Sequence, residues 1–427
     1  MKKFFLLLLV FGFIITACSE TKNISIKEFQ TALEKAEAAK KINDYNEALR
    51  QNDKALDIVT THPPTIFNIA RLHSLLGNKK EAFQYLTKSL ELGYGLEAVN
   101  DTAFAHFKNS GEFYTIQSLI ETMKKPISNS TIAFTYNEKD LVPESIAYDP
   151  IEKAYYLGSI YKYKIVKIDS NGTATDFVAE RQDSLRMVLG IKVDAPRRLL
   201  WVCNSVGRRP APGISNNEIG WTALFKYDLN TGSLINKYPL YEKGTMHQFN
   251  DLAINRMGDV YTTDNFEGSV YRVLSEMDAL ELFCGSEDLV SANGVTFSAD
   301  EETLYVSGWT TVLYYIDIQT RELSVLRHPD TFTTYGVDGL YYFDNSLIAV
   351  QDGVMRISRF YLNENGTEIE KLEVLEANNP VLDVPTTGVI VDDELLYIAN
   401  CPLMHFRANG TLAAEELNDV TILKIKL

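Results

Sequence analysis

The chain has 427 residues, 45% of them hydrophobic and 11% aromatic, with a formal net charge of -16. That composition fills one large core or two moderate ones and excludes a disordered or fibrous chain. The acidic balance repels phosphate backbones, and with no basic patch interleaved with aromatics it excludes nucleic acid as a partner.

The opening stretch, MKKFFLLLLVFGFIITACSE, carries two lysines, an unbroken apolar run and small residues before Cys18. It reads as a secretory signal over 1–17, too short and too closely followed by polar chain to be a stable span. Ile15-Thr16-Ala17-Cys18 resembles the bacterial lipobox. That resemblance implies cleavage before Cys18, acylation of its thiol and a lipid-anchored tether over 18–23, the alternative being a plain signal with a chance cysteine. Ser19 in place of Asp implies the outer membrane of the cell envelope, with the body of the protein in water and the membrane touched by the anchor alone.

Residues 24–125 carry a helical period that repeats. NDYNEALRQNDKAL from Asn43, GNKKEAFQYLTKSL from Gly77 and SGEFYTIQSLIETM, with Gly111 in the same slot, lie 34 residues apart. Ala48 aligns with Ala82, Ala55 with Ser89 and Leu56 with Leu90, as close-packed helix pairs require. The stretch looks like a short tetratricopeptide array whose third unit is degenerate, with Pro63-Pro64 opening one helix. Such an array serves as a spacer or holds a protein partner in its groove.

Lys124-Lys125-Pro126 and Ser128-Asn129-Ser130 break the pattern, and the period becomes two. Six strand pairs recur over 131–427: PESIAYDPIEKAYYLGS, LGIKVDAPRRLLWVCNS, FNDLAINRMGDVYTTDN, ANGVTFSADEETLYVSG, VDGLYYFDNSLIAVQDG and TTGVIVDDELLYIANCP. Each is followed by a second pair turned by Gly, Asn or Asp. Four strands at a spacing of roughly forty-five residues predict a six-bladed β-propeller, so the fold class is a helical array followed by an all-β propeller. The second blade is lengthened by a loop from about Val206 to Trp221. The last copy is one strand short, and TIAFTYN at 131–137 is placed to fill it and close the ring.

In a propeller the first strand of each blade lines the central channel. The residue that opens it is Glu144, Gly190, Asn250, Asn293, Asp338 and Gly388 in turn. Two carboxylates with two amide carbonyls make a hard-oxygen site for Ca²⁺, Mg²⁺ or Mn²⁺, with Zn²⁺ less suited because no His or Cys stands among them. One Asn or Asp alone would be a turn cap. Four at matched positions point to a metal.

The segments PESIAYD, FNDLAINRMGDVYTTD, ANGVTFSADEETLYVS and VDGLYYFDNSLIAV resemble the regucalcin/gluconolactonase family of six-bladed propellers, over about residues 131–427. The resemblance implies a divalent cation, calcium in some members, held by Glu144, Asn250, Asn293 and Asp338, and hydrolysis of sugar lactones or related esters. Asp338 would be both ligand and base, and Asp251 would support Asn250 from behind. Sugar-lactone members have an arginine two residues before the first ligand Asn, where this chain has Gln248 preceded by His247. A lactone or ester poorer in hydroxyls is therefore expected, with His247 a proton carrier at the channel mouth. No His-Glu-x-x-His, P-loop or Gly-x-Ser-x-Gly occurs. Cys203, Cys284 and Cys401 make no disulfide framework and are expected to be half-buried apolar residues. The Asn-Gly-Thr stretches at Asn171, Asn365 and Asn409 are read as turns. The competing class is a non-catalytic binding protein in which the metal only stabilises the propeller.

Overall fold

The computed structural model describes residues 25–208, 214–407, 409–413 and 417–427. The expected signal, Cys18 and the tether lie outside the described residues, as does 209–213 of the long second-blade loop.

Five α-helices cover the N-terminal part: α1 (Ile26–Lys41), α2 (Tyr45–Leu56), α3 (Pro63–Leu75), α4 (Lys79–Glu91) and α5 (Gly111–Met123). The first three begin where a side chain can satisfy an orphan amide. Ser25, Asp44 and His62 each accept from the backbone N–H three residues on. Pro63 and Pro64 occupy the first turn of α3, where a missing N–H removes no helical bond. The aligned small residues Ala48, Ala55, Ala82 and Ser89 are all fully buried, so the repeat marks where helices approach most closely. The third unit departs from it, with two short 3-10 turns, Ala98–Asn100 and Thr102–Phe107, ahead of α5. None of the described helices is long and apolar enough to cross a membrane.

From Thr131 onward the described strands form six four-stranded sheets, the six blades expected from the repeat. Their inner strands are Pro143–Asp149, Met187–Asp194, Phe249–Ile254, Ala292–Phe297, Val337–Phe343 and Gly388–Val391. Blade 6 takes its outermost strand from the other end of the domain, Thr131–Tyr136 pairing antiparallel with Val420–Lys426. At this seam the closure covers the edge of Val420–Lys426 and makes Thr131–Tyr136 the outer strand of the blade. The approach to that seam is held by Glu376, fully buried on blade 5. Its Oε2 accepts from Asn129 N (2.8 Å) and Ser130 N (2.9 Å), and its Oε1 accepts from Asn379 Nδ2 (2.5 Å).

The helices are packed onto one face of the propeller rather than hung from it. Ile26, Phe29 and Ala32 of α1, with Ala55 of α2, share a core with Val270, Leu289, Ala292 and Tyr314 of blades 3 and 4. Lys27 N donates to Asp288 Oδ1 (3.1 Å), Thr60 Oγ1 to Asp330 Oδ1 (2.6 Å) and Asn378 Nδ2 to Met123 O (2.8 Å). His62 at the start of α3 lies between Phe29 and Tyr335, edge-on to both at 5.0 and 5.1 Å, with Nε2 at 3.1 Å from Thr310 O. These propeller partners lie in loops that enter inner strands or leave second strands. The array therefore sits on the face where the channel residues open, above blades 4 and 5.

Candidate functional site

Glu144, Asn250, Asn293 and Asp338 each stand second in an inner strand. At each of them the pairing with the second strand of the blade slips. The register breaks between Pro143 and Ser145, Phe249 and Leu252, Ala292 and Val295, and Val337 and Gly339. A bulge there releases the residue from strand alternation and re-aims its side chain. Blade 2 slips at the same place, between Val188 and Ile191, with Gly190 inside the break. A Cβ on Gly190 would stand 2.7 Å from Asn250 O and 2.8 Å from Asp251 Cα. Glycine is what lets blade 3 close in on blade 2 at the level of the site.

Each entry is also tied by one recurring backbone bond. A residue just beyond the second strand donates its N–H to the carbonyl two positions ahead of the candidate ligand. The pairs are Ile160 to Val142 (3.1 Å), Asn265 to Gln248 (2.9 Å), Trp309 to Ser291 (3.0 Å) and Gly353 to Gly336 (3.4 Å).

Asn293 Nδ2 donates to Asp338 Oδ1 at 2.7 Å, joining neighbouring blades. The other atom of that amide, Oδ1, is buried with no hydrogen-bond partner. Glu144 is buried, and its Oε2 accepts from Cys401 Sγ at 3.6 Å. Asn250 is half-buried, and its neighbour Asp251 is buried with Oδ2 unpartnered. Burial above all, with the charges of Asp352 and Asp251 adding and the Cys401 bond opposing, pushes Glu144 up to about 7. Burial, then repulsion from Glu144 and Asp352, holds Asp338 well above the carboxylate range. Burial likewise raises Asp352 to about 7 against the Trp309 hydrogen bond, and raises Asp251 against the attraction of Lys192.

Buried acid charge with little counter-charge, beside a bare amide oxygen, fits a divalent cation. No group of three or more His, Cys, Asp or Glu among the described residues could hold a metal. A cation here depends on the carbonyl oxygens of Asn250 and Asn293, a set that suits hard ions better than zinc. Further along the inner strands Tyr341 of blade 5 reaches across, its hydroxyl accepting from Gly388 N of blade 6, with Lys192 Nζ of blade 2 at 5.0 Å from its ring centroid.

His247, read from the sequence as a proton carrier, is buried. Its Nδ1 lies 2.6 Å from Asp264 Oδ2 and its ring stands edge-on to Tyr271, which belongs to the third strand of blade 3. The structure joins it to these outer strands and not to Asn293 and Asp338. Cys203, Cys284 and Cys401 are buried more deeply than half, and Cys401 touches the ring through Glu144. Two neighbours of the site are absent from the sequence reading: Asp352, one residue beyond the second strand of blade 5, and Trp309, whose Nε1 donates to Asp352 Oδ1 at 2.6 Å. Aligning the ends of the second strands, as well as the starts of the inner ones, is the signal that finds both.

Residues 142–374 match the family model described as SMP-30/Gluconolactonase/LRE-like region, more than half of the chain. The chain belongs to this family. The SMP-30/gluconolactonase match covers the inner strands that carry all four candidate ligands. Similar solved structures include a gluconolactonase from Xanthomonas campestris, 15% identical, covering 69% of this chain and 94% of that one with a TM-score of 0.48. A luciferin-regenerating enzyme is 14% identical over 71% of this chain and 96% of that one, with a TM-score of 0.49. A virginiamycin B lyase from Staphylococcus aureus is 12% identical over 69% of this chain and 98% of that one, with a TM-score of 0.46. No curated protein matches the sequence.

Proposed function

We propose that the chain is an outer-membrane lipoprotein of the bacterial envelope whose propeller is a divalent-metal-dependent hydrolase of a lactone or related ester. Family membership supports this reading. The observation that carries it is the bare, buried Asn293 Oδ1 beside Asp338, in a ring of acids with little counter-charge. Glu144, Asn250, Asn293 and Asp338 would hold the cation, Ca²⁺ first, with Mg²⁺, Mn²⁺ or Zn²⁺ as alternatives.

A bound divalent cation supplies Lewis acidity, polarising a carbonyl and making water more acidic. Asn293 orients Asp338 by fixing Oδ1, which leaves the second carboxylate oxygen to receive a proton from the attacking water. Asp251, packed against Gly190, keeps the Asn250 strand at its distance from blade 2. The ligand ring opens towards the face that carries the helices, and substrate and water would enter there.

The decisive experiment strips the protein of metal, reloads it with each cation in turn and follows hydrolysis of a panel of lactones and aryl esters. Metal-dependent turnover that falls more than about 100-fold in Asp338→Ala is expected, since loss of a ligand exceeds the 10–100-fold cost of losing an outer partner. Equal turnover by the stripped protein would overturn the mechanism. A second reading, a metal-stabilised binding protein, is favoured by a cavity of about 230 Å³ between α1 and α3, lined by Leu33, Ala36, Asn52, Asn68, Arg71 and Leu72. There the helices, read as tetratricopeptide-like repeats, would take a protein partner. Metal binding without turnover of any substrate would select it.

A further inference from the structure

Residues just beyond the second strands of blades 1, 3, 4 and 5 form a second tier beside the ligand ring. Blade 1 supplies Tyr161, blade 3 Phe266, blade 4 Trp309 and blade 5 Asp352, and Arg208 and Phe406 join them from longer loops after the second strands of blades 2 and 6. The recurring backbone ties fix the height of the first four. Tyr161 and Phe266 each follow a tied residue, and Trp309 is itself tied on both sides, its N–H to Ser291 O (3.0 Å) and its carbonyl accepting from Gly336 N (2.9 Å). Those two partners are each two residues ahead of Asn293 and Asp338. Trp309 is thus wedged at the mouth between the strands that bring those ligands in.

Four of the six are aromatic, and none of the four is buried. In a ring of six blades the first faces the fourth, so Tyr161 stands across from Trp309. Tyr161 and Phe406 meet edge to face at 5.7 Å, and the guanidinium of Arg208 lies 4.8 Å from the centroid of Phe266. The indole N–H of Trp309 is already taken by Asp352, so it offers no donor to a ligand. Tyr335 backs the indole at 5.5 Å, and His62 and Tyr94 of the helical part back Tyr335. The array therefore buttresses one wall of the mouth. A collar in which four half-exposed rings stand with Arg208, and with Asp352 already holding the Trp309 indole, presents more flat apolar surface than a hydroxyl-rich sugar can use. It is well matched to an apolar, planar body.

We propose that this collar, with Trp309 as its specificity-determining residue, selects lactones or esters whose non-reacting part is aromatic. The proposal rests on the hydrolase reading of the ring beneath it. A pair of substrates that differ only in that part tests it: γ-butyrolactone and γ-phenyl-γ-butyrolactone, hydrolysed by the full, metal-loaded chain. The expected result is at least a roughly tenfold higher kcat/KM for the phenyl compound, the lower end of what one well-placed apolar group supplies. Trp309→Ala should lower kcat/KM for the phenyl lactone about tenfold more than for its parent, chiefly through KM, and Trp309→Phe should restore most of the difference. Bound metal, measured by elemental analysis, reports whether the ring beneath has survived each substitution. Equal kcat/KM for the two lactones in the unaltered protein, or equal losses in Trp309→Ala, would overturn the proposal. If neither lactone is turned over, the hydrolase reading fails and the collar is judged by calorimetric binding of the phenyl lactone. Binding weakened tenfold by Trp309→Ala would then support it, and no binding to the unaltered protein would overturn it.

Discussion

Acidification should loosen the helices from the propeller, and His62 is the residue through which it acts. The side chain is buried with no charged group facing it. Nδ1 accepts from Thr65 N, which caps α3, and Nε2 must carry the hydrogen given to Thr310 O. A proton added at Nδ1 would turn the acceptor into a donor at the positive end of a helix. Burial, opposed only by the Thr310 bond, accordingly lowers its pKa from 6.5 to about 3. Between those values the unfolded chain binds a proton that the folded chain refuses. Stability from this group is therefore complete above pH 6.5 and is lost as pH falls towards 3. At about 1.36 kcal/mol per pH unit, moving from pH 7 to pH 5 removes roughly 2 kcal/mol. His62→Asn keeps a capping acceptor that does not titrate. Urea unfolding of both proteins at pH 7, 6 and 5 should show the unaltered protein losing about 2 kcal/mol more than the variant over that range. Parallel losses would refute the argument, because every other titrating group is common to the two.

Two other substitutions probe the frame around the site. Gly190→Ala should destabilise the protein by about 1–3 kcal/mol, since its Cβ would press on the backbone of Asn250 and Asp251. Because that push moves a candidate ligand, calcium titration should show weaker binding as well, and unchanged affinity would separate Asn250 from the metal. Glu376→Ala removes a buried acceptor of three hydrogen bonds and should cost about 2–4 kcal/mol in chemical unfolding, with Glu376→Gln recovering part of it. A loss below 1 kcal/mol would mean that the strand at 131–136 is held by its ladder alone.

The two periods are legible because they follow from packing: small residues every 34 positions where helices cross, and alternation where sheets stack. The closure of the ring is legible as a deficit, since blade 6 lacks a strand that 131–137 can supply. Asn293 is legible as one of a matched set and not by itself. Alternation would place Asn293 and Val295 on one side of the strand, and the one-residue slip between Ala292 and Val295 breaks that count. A bulge leaves no mark in a pattern of apolar and polar residues. Nor does docking: Phe29 and His62 look like any buried face of a helix pair, and only the folded chain brings them to Tyr335. Asp352 and Trp309 are hidden for the same reason, 43 residues apart in sequence and 2.6 Å apart in space.

The seam in blade 6 has a consequence in time. The strand at 131–136 is the first of the propeller to leave the ribosome, and its partner at 420–426 is made about 290 residues later. At elongation rates of about 5–20 residues per second, the first strand waits roughly 15 to 60 s for its partner. Glu376 emerges 44 residues, or roughly 2 to 9 s, before the wait is over. By gripping Asn129 and Ser130, it can moor the early strand at the edge of blade 5 beside the gap it will fill. What then remains is to dock the closing segments of blade 6 against a frame already in place, a short search in place of a very long loop closure.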